Sequence, residues 1–255
     1  MGLLDFFKKK NAPEQSKVQQ TPSSTQSRPT QPSSPKAAPP SPKPAASSVA
    51  SLPSNIQDII GAASMGLMGA QTGNHRMEQK NLFNMFNLVQ DSCSQLLKVP
   101  TDQCNIVGSG FSLLLSYRQV QENEDLARAI ADYAFFCLSK AINANPRNEI
   151  LHAKRLSLLA ETRDYFYYTV ANAMELPDYN PLDIFASMPL RIRTNDYLYA
   201  MVKYDLTFMK NKSYDGAIGE LISASNNTMS NKTAQDGSDY IDKIMMYLIN
   251  TFKKY

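Results

Sequence analysis

From Leu52 onward, apolar residues recur every three or four positions, the spacing that places them on one face of an α-helix. Ile56, Ile59, Ile60 and Ala63 predict a first helix opened by Ser54-Asn55 and broken at Thr72-Gly73-Asn74. It extends through Met65–Met68 if the small residues around Gly66 and Gly69 do not end it first. Leu82, Met85, Phe86, Leu88, Val89, Cys93, Leu96 and Leu97 form a wide stripe, which predicts one long, largely buried helix over 76–98. Pro100 ends it, and Thr101-Asp102 open a helix over 102–120. Within that helix, Gly108 and Gly110 read as a close helix contact. No strand precedes them and no Walker lysine follows, so a phosphate loop is disfavoured. The charged turn Gln121–Asp125 leads into a helix over 126–144. Further helices are expected over 148–161 and 165–176, separated by a turn at Arg163-Asp164, then over 196–210 and 240–254. The fold class is therefore all-α, occupying 53–255.

The stretch from Asp132 to Asn148 organises this pattern. Ala134, Leu138, Ala141 and Ile142 share one face, and Asn145-Pro146 stop the helix because proline lacks an amide hydrogen. Ala134, Leu138, Ala141 and Pro146 at this spacing resemble the second helix of a tetratricopeptide repeat. Tyr214, Ala217, Leu221 and Ala224 repeat the pattern after a helix carrying Leu198, Met201, Val202, Tyr204 and Phe208. The resemblance covers roughly 124–229 in three unequal copies. Two departures stand out: Asp205 falls where the family has a small residue, and Met229 falls where Pro146 stands in the first copy. The resemblance implies helical hairpins stacked as a short array. A non-repetitive helical bundle shares the same packing grammar and remains the alternative.

Ahead of the helices the pattern changes. Residues 11–52 are Pro, Ser, Gln, Ala, Thr and Lys with almost no large apolar side chain. Such a segment cannot bury enough surface to offset its ordering entropy, so a disordered linker is expected. At its tip, residues 1–10 hold Leu3, Leu4, Phe6 and Phe7 followed by Lys8, Lys9 and Lys10. This short amphipathic, basic segment fits weak peripheral membrane contact, with the lysines at anionic headgroups, or a short docking peptide. It fits equally a terminus that packs on its own protein.

Charge sharpens the division. Residues 1–52 carry +5 and the remainder −2, within a formal total of +3. The helical body therefore lacks the basic excess that favours nucleic acid. Three scattered cysteines, Cys93, Cys104 and Cys137, suit a reducing compartment and read as small core residues. With no secretory pattern and no apolar run of the ~18 residues a membrane span needs, the expected location is cytoplasmic.

Candidate chemistry is sparse. His75 and His152 are the only histidines, in no metal-binding spacing, and a Cys137–His152 nucleophile pair rests on nothing but the presence of both. No catalytic residue, metal site or cofactor is expected. The one basic-aromatic cluster of the body, Arg193, Tyr197, Tyr199, Lys203 and Tyr204, is the candidate partner-binding face. The expected function is a non-enzymatic adaptor or scaffold that takes a partner peptide or helix on a helical groove, with the N-terminal stretch as tether. The competing expectation is a structural subunit of a bacterial or phage assembly. It would oligomerise through the helical body, so a homo-oligomer is the second partner class, and latch through the arm.

Overall fold

The computed structural model describes residues 51–173, 200–209, 219 and 234–255. All regular structure among them is helical. No helix among them is long and apolar enough to cross a membrane.

The first helix, α1 (Ser54–Thr72), turns Ile56, Ile59, Ile60, Ala62, Ala63, Gly66 and Gly69 inward. It starts directly after Pro53 with no side-chain cap, in place of the expected Ser-Asn cap. Gly73 ends it in the left-handed region (φ 71°), and Asn74 N–H reaches back to Gly69 O at 2.8 Å. That is a Schellman closure, and it needs a residue without a Cβ penalty at Gly73. The Asn74 side chain then accepts the Met77 amide at 3.1 Å and caps α2 (His75–Gln90). One short link thus closes one helix and opens the next, folding them into a hairpin. The small residues that left the end of α1 open in the sequence are the seam of this hairpin. A Cβ on Gly69 would stand 2.5 Å from Glu78 N, and one on Gly66 2.5 Å from Leu82 Cδ2.

The expected single helix over 76–98 is two elements. It stops at Gln90, Ser92 is extended (φ −158°, ψ 92°), and Cys93–Lys98 continues as a 3₁₀ segment. Asp91 and Ser92 offer the backbone non-helical alternatives, and the Ser92 and Ser94 hydroxyls bond at 3.0 Å. The tighter 3₁₀ turn buries Cys93 and Leu96 and leads into Pro100.

The central element, α3 (Thr101–Leu114), packs on α1, α2 and the long α5 (Glu124–Ala144). Both glycines of α3 serve close contact, as expected. A Cβ on Gly108 would meet Leu138 at 3.0 Å and Cys137 at 3.1 Å, and one on Gly110 would meet Met85 at 3.1 Å. The helix ends short of the expected 120. Ser116 bonds back to Leu113 O at 2.7 Å, Tyr117 turns away, and the short α4 (Arg118–Gln121) follows.

Asn123 caps α5 by accepting the Leu126 amide at 3.1 Å, and the helix stops at Ala144 before Asn145-Pro146, as expected. The short loop 145–148 turns the chain into α6 (Glu149–Ala173), which packs back on α5. The expected turn at Arg163-Asp164 is instead a kink one residue earlier. Thr162 (φ −115°, ψ 15°) is non-helical, and its hydroxyl bonds Leu158 O at 2.7 Å. A hydroxyl back-bonded to the preceding turn bends a helix without ending it.

A further helix, α7, is described over 200–207 and buries Ala200, Met201, Val202 and Leu206. The last helix, α8, runs Ala234–Phe252 and starts earlier than the expected 240. Of the apolar residues that the sequence puts on one side of it, Ile241, Ile244, Met245, Leu248 and Phe252 are buried and Ile249 is half-buried. It packs on α5, α6 and the 3₁₀ segment, with Phe252 edge-on to Tyr133 at 5.6 Å and Phe136 at 5.2 Å. The end of the chain thereby closes over its early helices.

Candidate interaction site

Among the described residues, the largest polar assembly lies inside the protein. His152 and Arg155 sit one turn apart on α6, facing α7, and both are fully buried. Asp205 of α7 answers them. Its Oδ1 accepts from Arg155 Nη2 at 2.6 Å and from His152 Nδ1 at 2.8 Å, and its Oδ2 accepts from Arg155 Nε at 3.1 Å. Arg155 Nη1 donates to Ser139 Oγ of α5 at 3.1 Å, and His152 Nε2 lies 2.8 Å from Pro146 O. Phe208 stacks on the His152 ring at 4.6 Å, while Tyr204 stands edge-on to it and under the guanidinium. Buried charges persist where they are paired and hydrogen-bonded, and these are. The assembly pins α7 to the α5–α6 hairpin.

Three smaller clusters are likewise built across helices. Lys154 Nζ donates to Asn105 Oδ1 at 2.8 Å and Ser109 Oγ at 2.7 Å, and burial pushes its amine down to about 8. Glu78, buried at the α1–α2 seam, accepts the Tyr117 hydroxyl at 2.7 Å, and burial, then Glu78, pushes that phenol well above its ordinary range. Asp132 accepts the Thr169 hydroxyl, and burial raises its carboxyl to about 7 against the pull of Thr169 and Arg128. Among the described residues, no group of three or more His, Cys, Asp and Glu is placed to hold a metal ion.

The outer face is different. Across the α1–α2 hairpin runs an open groove of about 450 Å³, lined by Asp58, Gly61, Met65, Asn81, Asn84 and Leu88 among others. Met65 and Met68 beside it are 43% and 50% exposed, large apolar side chains in water. Asp58, Gly61, Met65 and Met68 recur at helical spacing on the face of α1 opposite its buried isoleucines. Methionine over a shallow floor with flanking amides suits an adaptable contact: the thioether fills apolar gaps, and the amides bond a backbone.

Of the residues singled out from sequence, Lys203 is half-buried on α7, and the Tyr204 ring is committed to His152, Phe208 and Arg155. Arg193, Tyr197 and Tyr199 lie outside the described residues, as do Leu3, Leu4, Phe6, Phe7, Lys8, Lys9 and Lys10. Cys137 is fully buried on α5, and His152 is engaged with Asp205 and Pro146. The α1–α2 groove was missed because Met65–Met68 entered the sequence reading only as an extension of the first helix. The signal was present: Met65 falls half a helical turn from Ile56 and Ile60, so it could not share their face. Comparison of the chain with protein-family models, curated proteins and solved structures finds no match.

Proposed function

We propose that this chain is a non-enzymatic protein-interaction module, an adaptor or scaffold that takes a partner's peptide or helix on a helical groove. The observation that carries the reading is the exposed Met65–Met68 strip beside the α1–α2 groove. Isolated exposed apolar residues are ordinary, but two methionines on one helical face beside a groove form a contact surface. Its floor is rigid before binding, because the hairpin is closed by a Schellman turn and sealed at Gly66 and Gly69. A rigid floor lowers the ordering cost of capture. The packing of α5 against α6 across Pro146 fits the stacked hairpins that the tetratricopeptide resemblance over 124–229 implies. Residues 1–52 serve as tether, with Leu3–Lys10 as a second contact for protein or a membrane surface. Buried free thiols fit work in the cytoplasm.

The test is capture from source-cell lysate by the full chain, by Met65→Glu/Met68→Glu and by a chain beginning at Leu52, with the mass of each measured by light scattering. The reading expects a monomer whose partner is lost on the double substitution and retained without the arm. Capture that ignores both methionines refutes the groove. A wild-type oligomer that dissociates on their substitution transfers the surface to self-assembly, as in a structural subunit.

A further inference from the structure

We propose that the groove across α1 and α2 is the resting seat of this chain's own N-terminal segment, residues 3–10, which fills it in cis and leaves when a partner takes its place. The inference rests on the reading of this groove as the contact surface, and it names the first occupant. The groove suits an apolar ligand with a basic end. Met65 and Met68 are exposed on one side of it, and Gly61, where a Cβ would meet nothing within 4 Å, leaves a notch between Asp58 and Met65. Leu3, Leu4, Phe6 and Phe7 are side chains of the kind that fill such a floor. A thioether against an aromatic ring is a favourable contact, and methionine adapts its shape to it. Asn81 and Asn84 on the facing helix supply amides for the segment's backbone.

Charge gives the segment a direction. The hairpin is antiparallel, with Gly66 against Leu82 and Gly69 against Glu78, so its open end brings the start of α1 to the end of α2. Asp58 lines the groove towards that end, and Asp91, also exposed, follows the last residue of α2 there. Lys80, exposed one turn before Asn84, stands towards the closed end. Lys8, Lys9 and Lys10 are therefore drawn to the open end and repelled from the turn, which lays Leu3–Phe7 along Met65 and Met68.

The connection fits this direction. Residues 11–53 join Lys10 to Ser54, which starts α1 at the same open end. Met65 stands about 17 Å along the helix from Ser54, whereas a coil of about 43 residues spans about 35 Å on average. The chain can thus return to its own groove with slack to spare. A ligand tethered in this way has an effective concentration of about a millimolar, so a contact too weak to hold a free peptide still fills the groove much of the time. The same weakness lets a partner of modest affinity displace it.

The experiment uses the full chain with isotope-labelled methionine methyls and a nitroxide on Gly2→Cys; the three native thiols are buried. The Met65 and Met68 methyl signals should lose most of their intensity, while Met246, exposed on α8, loses far less. Adding Phe6→Ser/Phe7→Ser to the labelled chain should restore both signals. Equal loss at all three methionines, no loss at Met65 and Met68, or no recovery in the double variant would each overturn the proposal. Equal loss in a mixture, with nitroxide and isotope on separate chains, would place the segment on a second copy and overturn seating in cis. All the substitutions lie ahead of the helical body, so none can fail by unfolding it. Partner capture is read separately. Capture lost on Met65→Glu/Met68→Glu without arm contact at the methionines sinks this inference alone, and arm contact with capture intact sinks the partner reading alone.

Discussion

Asp205→Ala should be among the most damaging single substitutions in this protein. The carboxylate has no exposed surface and accepts three hydrogen bonds, from Arg155 at 2.6 and 3.1 Å and from His152 at 2.8 Å. Removing it leaves the guanidinium with Ser139 Oγ and the faces of Phe135 and Tyr204, none of which carries a negative charge. Truncating one partner of a buried ion pair costs about 3–5 kcal/mol, because the other charge stays buried without compensation. For a domain of this size each kcal/mol moves the melting temperature by about 2–4 °C, so the variant should melt roughly 6–20 °C lower. The assay is thermal and urea unfolding of the full chain followed by circular dichroism. The double substitution Asp205→Ala/Arg155→Met separates this cause from simple loss of contacts. With the stranded charge gone, the pair should cost less than the sum of its parts, and little more than Asp205→Ala alone. If Asp205→Ala cost under about 1 kcal/mol, or if the two substitutions added, the buried pair would not be what holds α7.

The remaining predictions concern helix seams and pH. Gly69→Ala drives a Cβ to 2.5 Å from the Glu78 amide nitrogen, a backbone atom that cannot swing away, and should cost about 1–3 kcal/mol in urea unfolding. Gly61→Ala meets nothing within 4 Å and should stabilise α1 by about 0.5–1 kcal/mol, so equal effects at the two sites would refute the seam. Tyr117→Phe strips buried Glu78 of its 2.7 Å donor and should cost about 1–3 kcal/mol, whereas Arg118→Ala, on an exposed ion pair next door, should cost under about 1 kcal/mol. Asp132 carries the pH dependence. From its ordinary 3.8 up to about 7 the folded chain keeps a proton that the unfolded chain has released, so stability falls as pH rises through that window and levels off above it. The fall over the whole window is about 4–5 kcal/mol at about 1.4 kcal/mol per pH unit, and Asp132→Asn should flatten it in urea titrations at pH 5 and 8.

What the sequence made legible was local, and what it hid was long-range. Periodicity found α1, α3, α5 and α8 because each has a face that must be buried, and Pro146 and Gly73 stop helices for reasons contained in their own backbones. Two of the boundary errors fell where a distant partner engages the chain. The helix over 102–120 breaks at Tyr117 because that side chain leaves to reach Glu78, 39 positions away. The 3₁₀ segment ends in carbonyls of Leu97 and Val99 that Lys140 holds from 43 and 41 positions off. The candidate site shows the same limit. Met65 counted only toward the length of the first helix, although its angle around α1 already places it on the outer face. Asp205 is the sharpest case. As a residue in a repeat pattern it was only a departure, a carboxylate where a small side chain belongs. Among the described residues it is the acidic partner of Arg155, 50 positions back, and of His152, 53 positions back. A small residue there would leave an arginine buried and unanswered. The departure from the pattern is therefore a requirement of this particular core, and it ties Asp205 to Arg155 and His152 so closely that none of the three can change without cost to the others.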